Sequence, residues 1–200
     1  MNSRSNRTHS VPDRIVSVSQ PFVRPIVRGK AGKPVEFGAK LDISVVDGWT
    51  RLECCSFDAY NEVGNLREMA ERFRARKGHY PSRILADKIY RNRENLSYCR
   101  AHGIRLSGPA LGSPKKGETR DKAQDYRDEC ERVEVKRRFS LAKRKCGMGL
   151  VTAKLRETAA HVIAMSVLVL NLRKIQRALL RMIAYLLEIL AQNKKWALVQ

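Results

Sequence analysis

Asp87 is the acidic residue whose place in the sequence most clearly suggests chemistry. It closes the run RILAD, which predicts a short buried strand within residues 82–89. In an open α/β sheet, ligands and catalytic groups are presented at the carboxyl ends of the strands. A carboxylate there, beside basic segments, suits Mg²⁺, which takes hard oxygen ligands and bridges phosphates. The alternative is an Asp that only ends the strand in a turn, or that pairs with Lys88.

A second candidate is the charged helix predicted over 121–145. Arg132, Lys136 and Lys143 lie at i, i+4 and i+11, so at about 100° per residue they share one helix face. Residues 136–145 hold six Lys or Arg and no acid. This pattern predicts contacts with a phosphate backbone; the alternative is a charged face that is only solvated. The other cations of this run are Arg137, Arg138, Arg144 and Lys145.

The composition narrows the choice of partner. Among 200 residues there are 40 Lys and Arg against 20 Asp and Glu, a net charge of +20, which favours nucleic acid or an anionic membrane surface. The longest uncharged apolar stretch, 158–172, is shorter than the roughly 18–20 residues that a membrane span needs. No signal peptide, zinc-ligand spacing or nucleotide-binding loop is visible. We therefore expect a cytoplasmic protein that uses neither a membrane nor a small-molecule substrate.

The elements that must position these residues follow from periodicity and turn signals. Alternation over 35–57 around Asp47-Gly48 predicts a β-hairpin, with Asp42 on its solvent side. Prolines, glycines and cations over 20–33 predict a basic loop. Strands at 82–89 and 104–106, alternating with helices at 62–77 and 93–102, predict an α/β layered domain. A further, largely helical segment with a wide apolar stripe is predicted over 152–192.

The chain divides into four predicted segments. Residues 1–12 form a disordered basic N-terminus, and 13–150 form the α/β domain with a flexible linker at 108–120. Residues 151–192 form C-terminal helices that pack on this domain, and 193–200 form a frayed tail.

Five runs of the chain carry a family resemblance: SVSQPFVRPIVRGKAGKPVEFGAKLDISVVDG, FDAYNE, GHYPSRILADKIYRNRENLSYCRAHGIRLSGPALG, RRFSLAKRKCGMGL and AKLRETAAHVIAMSVLVLNLRKI. Together, over roughly residues 11–178, they resemble the C-terminal two-thirds of bacterial insertion-sequence DDE transposases. The resemblance implies an RNase H-like mixed sheet with flanking helices. It also implies that two Asp and one Glu hold Mg²⁺ ions, which activate water or a 3′-hydroxyl for attack on DNA.

The resemblance also assigns residues. Asp87, in LADKIY, matches the second Asp, and Arg132 and Lys143 match the Arg and Lys of the signature Tyr-x2-Arg-x3-Glu-x6-Lys. Lys136 occupies the position of the signature's Glu and is expected to be non-functional there, because it repels metal ions. Glu134 is a poor replacement, since two residues turn it about 200° around the helix. The first Asp of the family lies upstream of the segment that begins at Val11, so the domain is expected to be truncated at its N-terminus.

These assignments lead to three hypotheses. The first is a DDE-type transposase for DNA transposition, present as a truncated and inactive copy whose Mg²⁺ binding is in doubt. The second is a non-enzymatic basic nucleic-acid-binding remnant that oligomerises with an intact transposase and modulates it. The third, much weaker, is a membrane-surface protein that uses a basic amphipathic C-terminal helix.

Overall fold

A computed structural model describes residues 14–30, 32–108 and 121–197 of the chain. The predicted disordered segment 1–12 and nearly all of the predicted linker 108–120 therefore lie outside the described residues. Within them, six short strands and four α-helices form a mixed α/β structure, as predicted. The strands make three separate two-stranded sheets. The RNase H-like arrangement of one mixed sheet stays a prediction.

The first sheet corrects the prediction of a basic loop over 20–33. Strands β1 (Pro25–Lys30) and β2 (Lys33–Phe37) pair antiparallel, with Val27 opposite Val35. β-Branched residues on both sides of a glycine turn favour this pairing, and Gly32 takes a φ of 85°. The cations and glycines of this segment are typical of a loop, but the segment forms most of a short hairpin.

The second sheet is the hairpin predicted around Asp47-Gly48. Strands β3 (Lys40–Val46) and β4 (Trp49–Ser56) pair antiparallel, and both turn residues have positive φ, as a tight hairpin turn requires. The predicted solvent position of Asp42 was wrong. The register shifts between Asp42 and Ile43, and the Asp42 side chain is buried, where it accepts a hydrogen bond from Asn65 Nδ2 at 2.6 Å. Burial raises the pKa of this carboxyl.

The third sheet belongs to a β–α–β unit. Strands β5 (Arg83–Ile84) and β6 (Arg105–Leu106) are parallel and are connected through helix α2 (Arg93–Ala101). Helix α1 (Asn65–Lys77) ends at Gly78 in the left-handed conformation and packs on the same small core. The predicted strand 82–89 is much shorter than expected, because Lys88–Tyr90 form a 3₁₀ turn.

The main core lies between the β3–β4 hairpin and two long helices, α3 (Lys122–Lys145) and α4 (Arg156–Ala197). Ala142 of α3 and Ala159, Ile163 and Leu170 of α4 are buried in it. The Asn171 side chain fixes α4 on β4, since it accepts from the Thr50 N–H at 2.9 Å and donates to the Thr50 carbonyl at 2.8 Å.

Beyond Asn171, helix α4 leaves the core. Its large apolar side chains are about half exposed from Leu172 onward. Of the predicted segment 151–192, only the part up to Asn171 therefore packs on the core. The helix continues to Ala197, within the predicted tail. By length and composition, its segment Arg156–Ala191 could cross a membrane, a criterion that core helices of soluble proteins also meet.

Candidate functional site

Asp87 lies three residues beyond β5, at the carboxyl end of a parallel strand. Its carbonyl accepts from Tyr90 N at 3.0 Å and so begins the 3₁₀ turn Lys88–Tyr90. The Asp87 side chain is 64% exposed, and its Oδ1 accepts a hydrogen bond from Arg132 Nη1 of α3. The structure therefore brings together the strand end and the basic helix that the sequence singled out separately.

Arg132 binds a second carboxylate at the same time. Its Nη2 donates to both carboxylate oxygens of Glu129, at 2.6 and 2.8 Å. Hydrogen bonds to Glu129 and the charge of Asp87 raise the pKa of Arg132, which is only 20% exposed. One guanidinium thus offsets one of the two negative charges and is shared by both acids.

The remaining predicted site residues divide among three faces of α3. Lys136 and Lys143 follow Arg132 along its own face, within about 40° of it. The second face carries Arg137 and Arg144, and the third carries Arg138 and Lys145, about 120° from Arg132 on either side. The structure therefore does not gather all the predicted cations on one surface.

Glu134 is engaged by two arginines of α3. Its carboxylate accepts from Arg138 Nε at 2.7 Å and lies 4.0 Å from Arg137 Nη1. Lys136 is exposed and has no ion-pair partner in the part of the chain that the structure describes.

The described residues do not fit a divalent metal site. No group of three or more His, Cys, Asp or Glu side chains is close enough to hold an ion within 14–30, 32–108 and 121–197. Asp87 and Glu129 are already bound to a guanidinium, and Lys136 is the next side chain along that face. Neither carboxylate is therefore free to bind a divalent ion.

Two further ion pairs hold α3 against the β–α–β unit. Arg105 Nη1 and Nη2 donate to the two carboxylate oxygens of Asp128 at 2.5 and 2.9 Å, and Arg83 contacts Glu131 at 2.8 and 3.1 Å. Asp128 is buried, and its hydrogen bonds from Arg105 lower its pKa. These pairs position the Asp87–Arg132 contact one helical turn away.

Sequence reasoning missed these positioning residues. The spacing of Asp128, Glu131 and Arg132 at i, i+3 and i+4 is a visible signal for one helix face. Their partners, however, lie 23 to 48 residues away in the chain, and periodicity carries no information about such distant contacts.

Comparison with known families adds to this geometry. Residues 84–173 match the family model described as a transposase DDE domain. The matched segment begins in β5, contains Asp87 and all of α3, and ends in the first half of α4. No curated protein and no solved structure gives a significant match to the chain.

Proposed function

We propose that this chain, whose residues 84–173 match the transposase DDE domain model, is a transposase-type DNA-binding protein that does not itself cleave or join DNA. The observation that carries the proposal is the contact of Asp87 with Arg132, followed one turn along α3 by Lys136. The resemblance places Asp87 at the family's second Asp and Lys136 at the family's Glu.

The loss of strand chemistry follows from charge. DNA cleavage by this family needs three converging carboxylates around two divalent ions. Here Asp87 is bound to Arg132, and the Lys136 ammonium adds a positive charge at the position of the third ligand. By Coulomb's law, two like unit charges about 4 Å apart repel by about 4 kcal/mol at an effective dielectric constant of about 20. We infer that Mg²⁺ binds this site poorly or not at all.

The parallel β5–α2–β6 unit supports the RNase H-like part of the proposal. Parallel strands joined through a helix are the building unit of open α/β sheets, and Asp87 follows β5 at the edge where such sheets bind ligands. Lys136 and Lys143 on the same side as Arg132 supply charge for phosphate contacts. DNA in the bacterial cytoplasm is accordingly the proposed partner.

DNA binding is tested by fluorescence anisotropy of a labelled 30-base-pair duplex, titrated with the full chain at several KCl concentrations. We expect affinity to fall steeply with salt, so that a plot of log K against log[salt] has a large negative slope. The double variant Lys136→Gln/Lys143→Gln should reduce the magnitude of this slope by about 2. The matched control Arg93→Gln/Arg100→Gln removes the same charge from the exposed face of α2. Absence of binding at low salt, or equal effects of the two variants, would contradict the proposal.

A second candidate function is favoured by the exposed half of α4. Leu172, Leu179 and Leu186 recur every seven residues, each about half exposed, with Ile175 and Met182 between them. This is the spacing that packs two helices into a coiled coil. In this function, α4 pairs with the same helix of an intact transposase, and the basic chain then modulates that enzyme without strand chemistry of its own.

A further inference from the structure

A groove between α3 and α4 collects positive charge away from Asp87. It has a volume of about 230 Å³, with Leu141 and Leu170 among its apolar lining residues. We call it the α3–α4 groove. Its five cationic lining residues are Arg138, Arg173, Lys174, Arg177 and Arg181.

The contacts of these cations compensate little of their charge. Among the groove cations, Arg138 forms an ion pair within the described residues, to Glu134 at 2.7 Å. Lys174 Nζ donates to the Asp47 carbonyl at 2.5 Å and lies 4.2 Å from the centre of the Trp49 ring, contacts that orient the ammonium without neutralising it. Five cations beside one carboxylate leave a surplus of four positive charges in the described part of the groove.

The three groove arginines of α4 include one buried donor without an acceptor. Arg173, Arg177 and Arg181 have no acidic partner among the described residues, and the Arg173 Nε–H is buried without a hydrogen-bond partner. A buried donor without an acceptor is costly, and neighbouring like charges add repulsion. An anion in the groove would relieve both, and the planar guanidinium is well suited to phosphate oxygens.

The spacing of the arginines indicates an extended polyanion rather than a small ion. They lie at i, i+4 and i+8, so each step rises about 6 Å along α4 and all three stay within about 80° of arc. In duplex DNA, successive phosphates of one strand are about 3.4 Å apart along the axis. A row of cations roughly 12 Å long therefore faces several phosphates in succession.

We propose that the α3–α4 groove binds the phosphodiester backbone of DNA at a second site, separate from the Asp87 face of α3. Arg138 lies about 120° around α3 from Arg132, so the two surfaces are on different sides of the helix. The inference rests on the proposed function in one respect, since it takes DNA as the partner. It adds a contact surface that extends past the matched residues, to Arg177 and Arg181.

The test removes two exposed arginines of the groove and leaves Arg173, whose Nε is buried, in place. In the anisotropy titration, Arg177→Gln/Arg181→Gln should weaken duplex binding about tenfold at about 0.1 M salt and lower the salt slope by about 2. Arg93→Gln/Arg100→Gln removes the same charge elsewhere and should change affinity less than about twofold. At about 0.1 M salt, charges more than about 10 Å from the DNA are largely screened. Thermal unfolding of the variants should match that of the unchanged chain, since both groove arginines are exposed.

A combined variant separates this inference from the proposed function. If the sites are distinct, adding Lys136→Gln/Lys143→Gln to the groove variant should lower the slope by about 4 in total, since distant contacts add. If only the α3-face variant weakens binding, the groove inference is wrong and the proposed function stands. If the unchanged chain binds no DNA, both are wrong. Loss of binding to phosphatidylserine-containing vesicles in the groove variant, with DNA binding intact, would assign the groove to lipid headgroups and overturn the inference.

Discussion

The Arg132 guanidinium contacts Asp87 through one amino group and Glu129 through the other. At the scale of single residues, this contact decides what a change at position 136 can do. A Glu at 136 would lie one turn from Arg132 and would itself form an i, i+4 ion pair with it. Removing the Lys charge alone therefore leaves Asp87 occupied.

Creating a metal site beside Asp87 should need two changes. We expect Lys136→Glu alone to bind Mg²⁺ no better than the unchanged chain, and Arg132→Gln/Lys136→Glu to bind it measurably more tightly, because oxygen ligands without a competing cation suit this ion. In the double variant, the carboxylates of Asp87, Glu129 and the new Glu share one side of α3 without a guanidinium between them. Isothermal titration calorimetry with MgCl₂ measures this.

The control for this experiment is Arg127→Gln/Arg137→Glu, which changes the same charges on other faces of α3. Equal Mg²⁺ affinity in the control, or strong Mg²⁺ binding by the unchanged chain, would show that Arg132 and Lys136 are not what excludes the ion.

At the scale of elements, ion pairs rather than a shared apolar core fix α3 to the β–α–β unit. The buried clusters on either side are separate: one lies between α3, α4 and the β3–β4 hairpin, and the other between α1, α2 and β6. Asp128 is the buried member of the pairs between α3 and β6. Its replacement should therefore loosen the position of the whole helix.

Asp128→Asn should lower the free energy of unfolding by about 1–3 kcal/mol at pH 7, because it weakens a charged hydrogen-bonded pair. The pKa of Asp128 is lowered in the folded state, so its stabilisation is fully present above the unfolded value near 3.9 and is lost as pH falls through the folded value. The unchanged chain should thus lose stability below about pH 4 more steeply than the variant. Urea unfolding from pH 3 to 7 measures both effects.

Glu188→Gln is a suitable control, because this acid is exposed on the distal half of α4. A control as destabilised as Asp128→Asn, or parallel pH profiles of the variant and the unchanged chain, would exclude a positioning role for the Arg105–Asp128 pair.

The sequence predicted the elements whose signals are local. Asp47-Gly48 identified the β3–β4 hairpin, and Gly78 identified the end of α1. The β1–β2 pairing was missed because the cations and glycines of its turn are equally typical of a loop, and the burial of Asp42 was missed because it depends on a register shift. The basic helix α3 was predicted within one residue at its start, since its charge pattern and the break at Cys146-Gly147 are both local.

The candidate site divides in the same way. Asp87 and Arg132 stand out by residue type, strand-end position and helical spacing, but their contact depends on the packing of α3 against β5. Arg138 is among the cations predicted to contact phosphate, whereas the groove arginines of α4 were not predicted to do so. Their convergence with Arg138 depends on the antiparallel packing of two helices, which no local pattern encodes.

At the scale of the whole molecule, a surplus of positive charge and an exposed apolar helix occur in one chain. The net charge is +20, and α4 leaves apolar side chains exposed from Leu172 to Leu190. Charge repulsion opposes the pairing of two copies at low salt, whereas salt screens it. Association through α4 should therefore strengthen as salt rises, the reverse of DNA binding.

Sedimentation velocity at about 0.1 and 0.5 M KCl tests this contrast, with the Debye length falling from about 10 Å to less than half of that. We expect dimers or larger species at the higher salt, and their loss in Leu179→Gln/Leu186→Gln. The matched control Leu180→Gln/Leu187→Gln makes the same change at exposed leucines about 100° further around the helix. A monomer at both salts, or equal loss in the control, would contradict pairing through the Leu172–Leu179–Leu186 stripe.

The most direct test of DNA binding without strand chemistry uses one labelled supercoiled plasmid. The plasmid is incubated with the full chain in millimolar Mg²⁺ or Mn²⁺. Native and denaturing gels of the same samples read binding and strand integrity together. We predict plasmid that is shifted by the protein and remains intact, with identical strand integrity for Asp87→Ala. Nicked or joined products that disappear in Asp87→Ala would contradict the account, because they would require a working metal site where Arg132 and Lys136 lie.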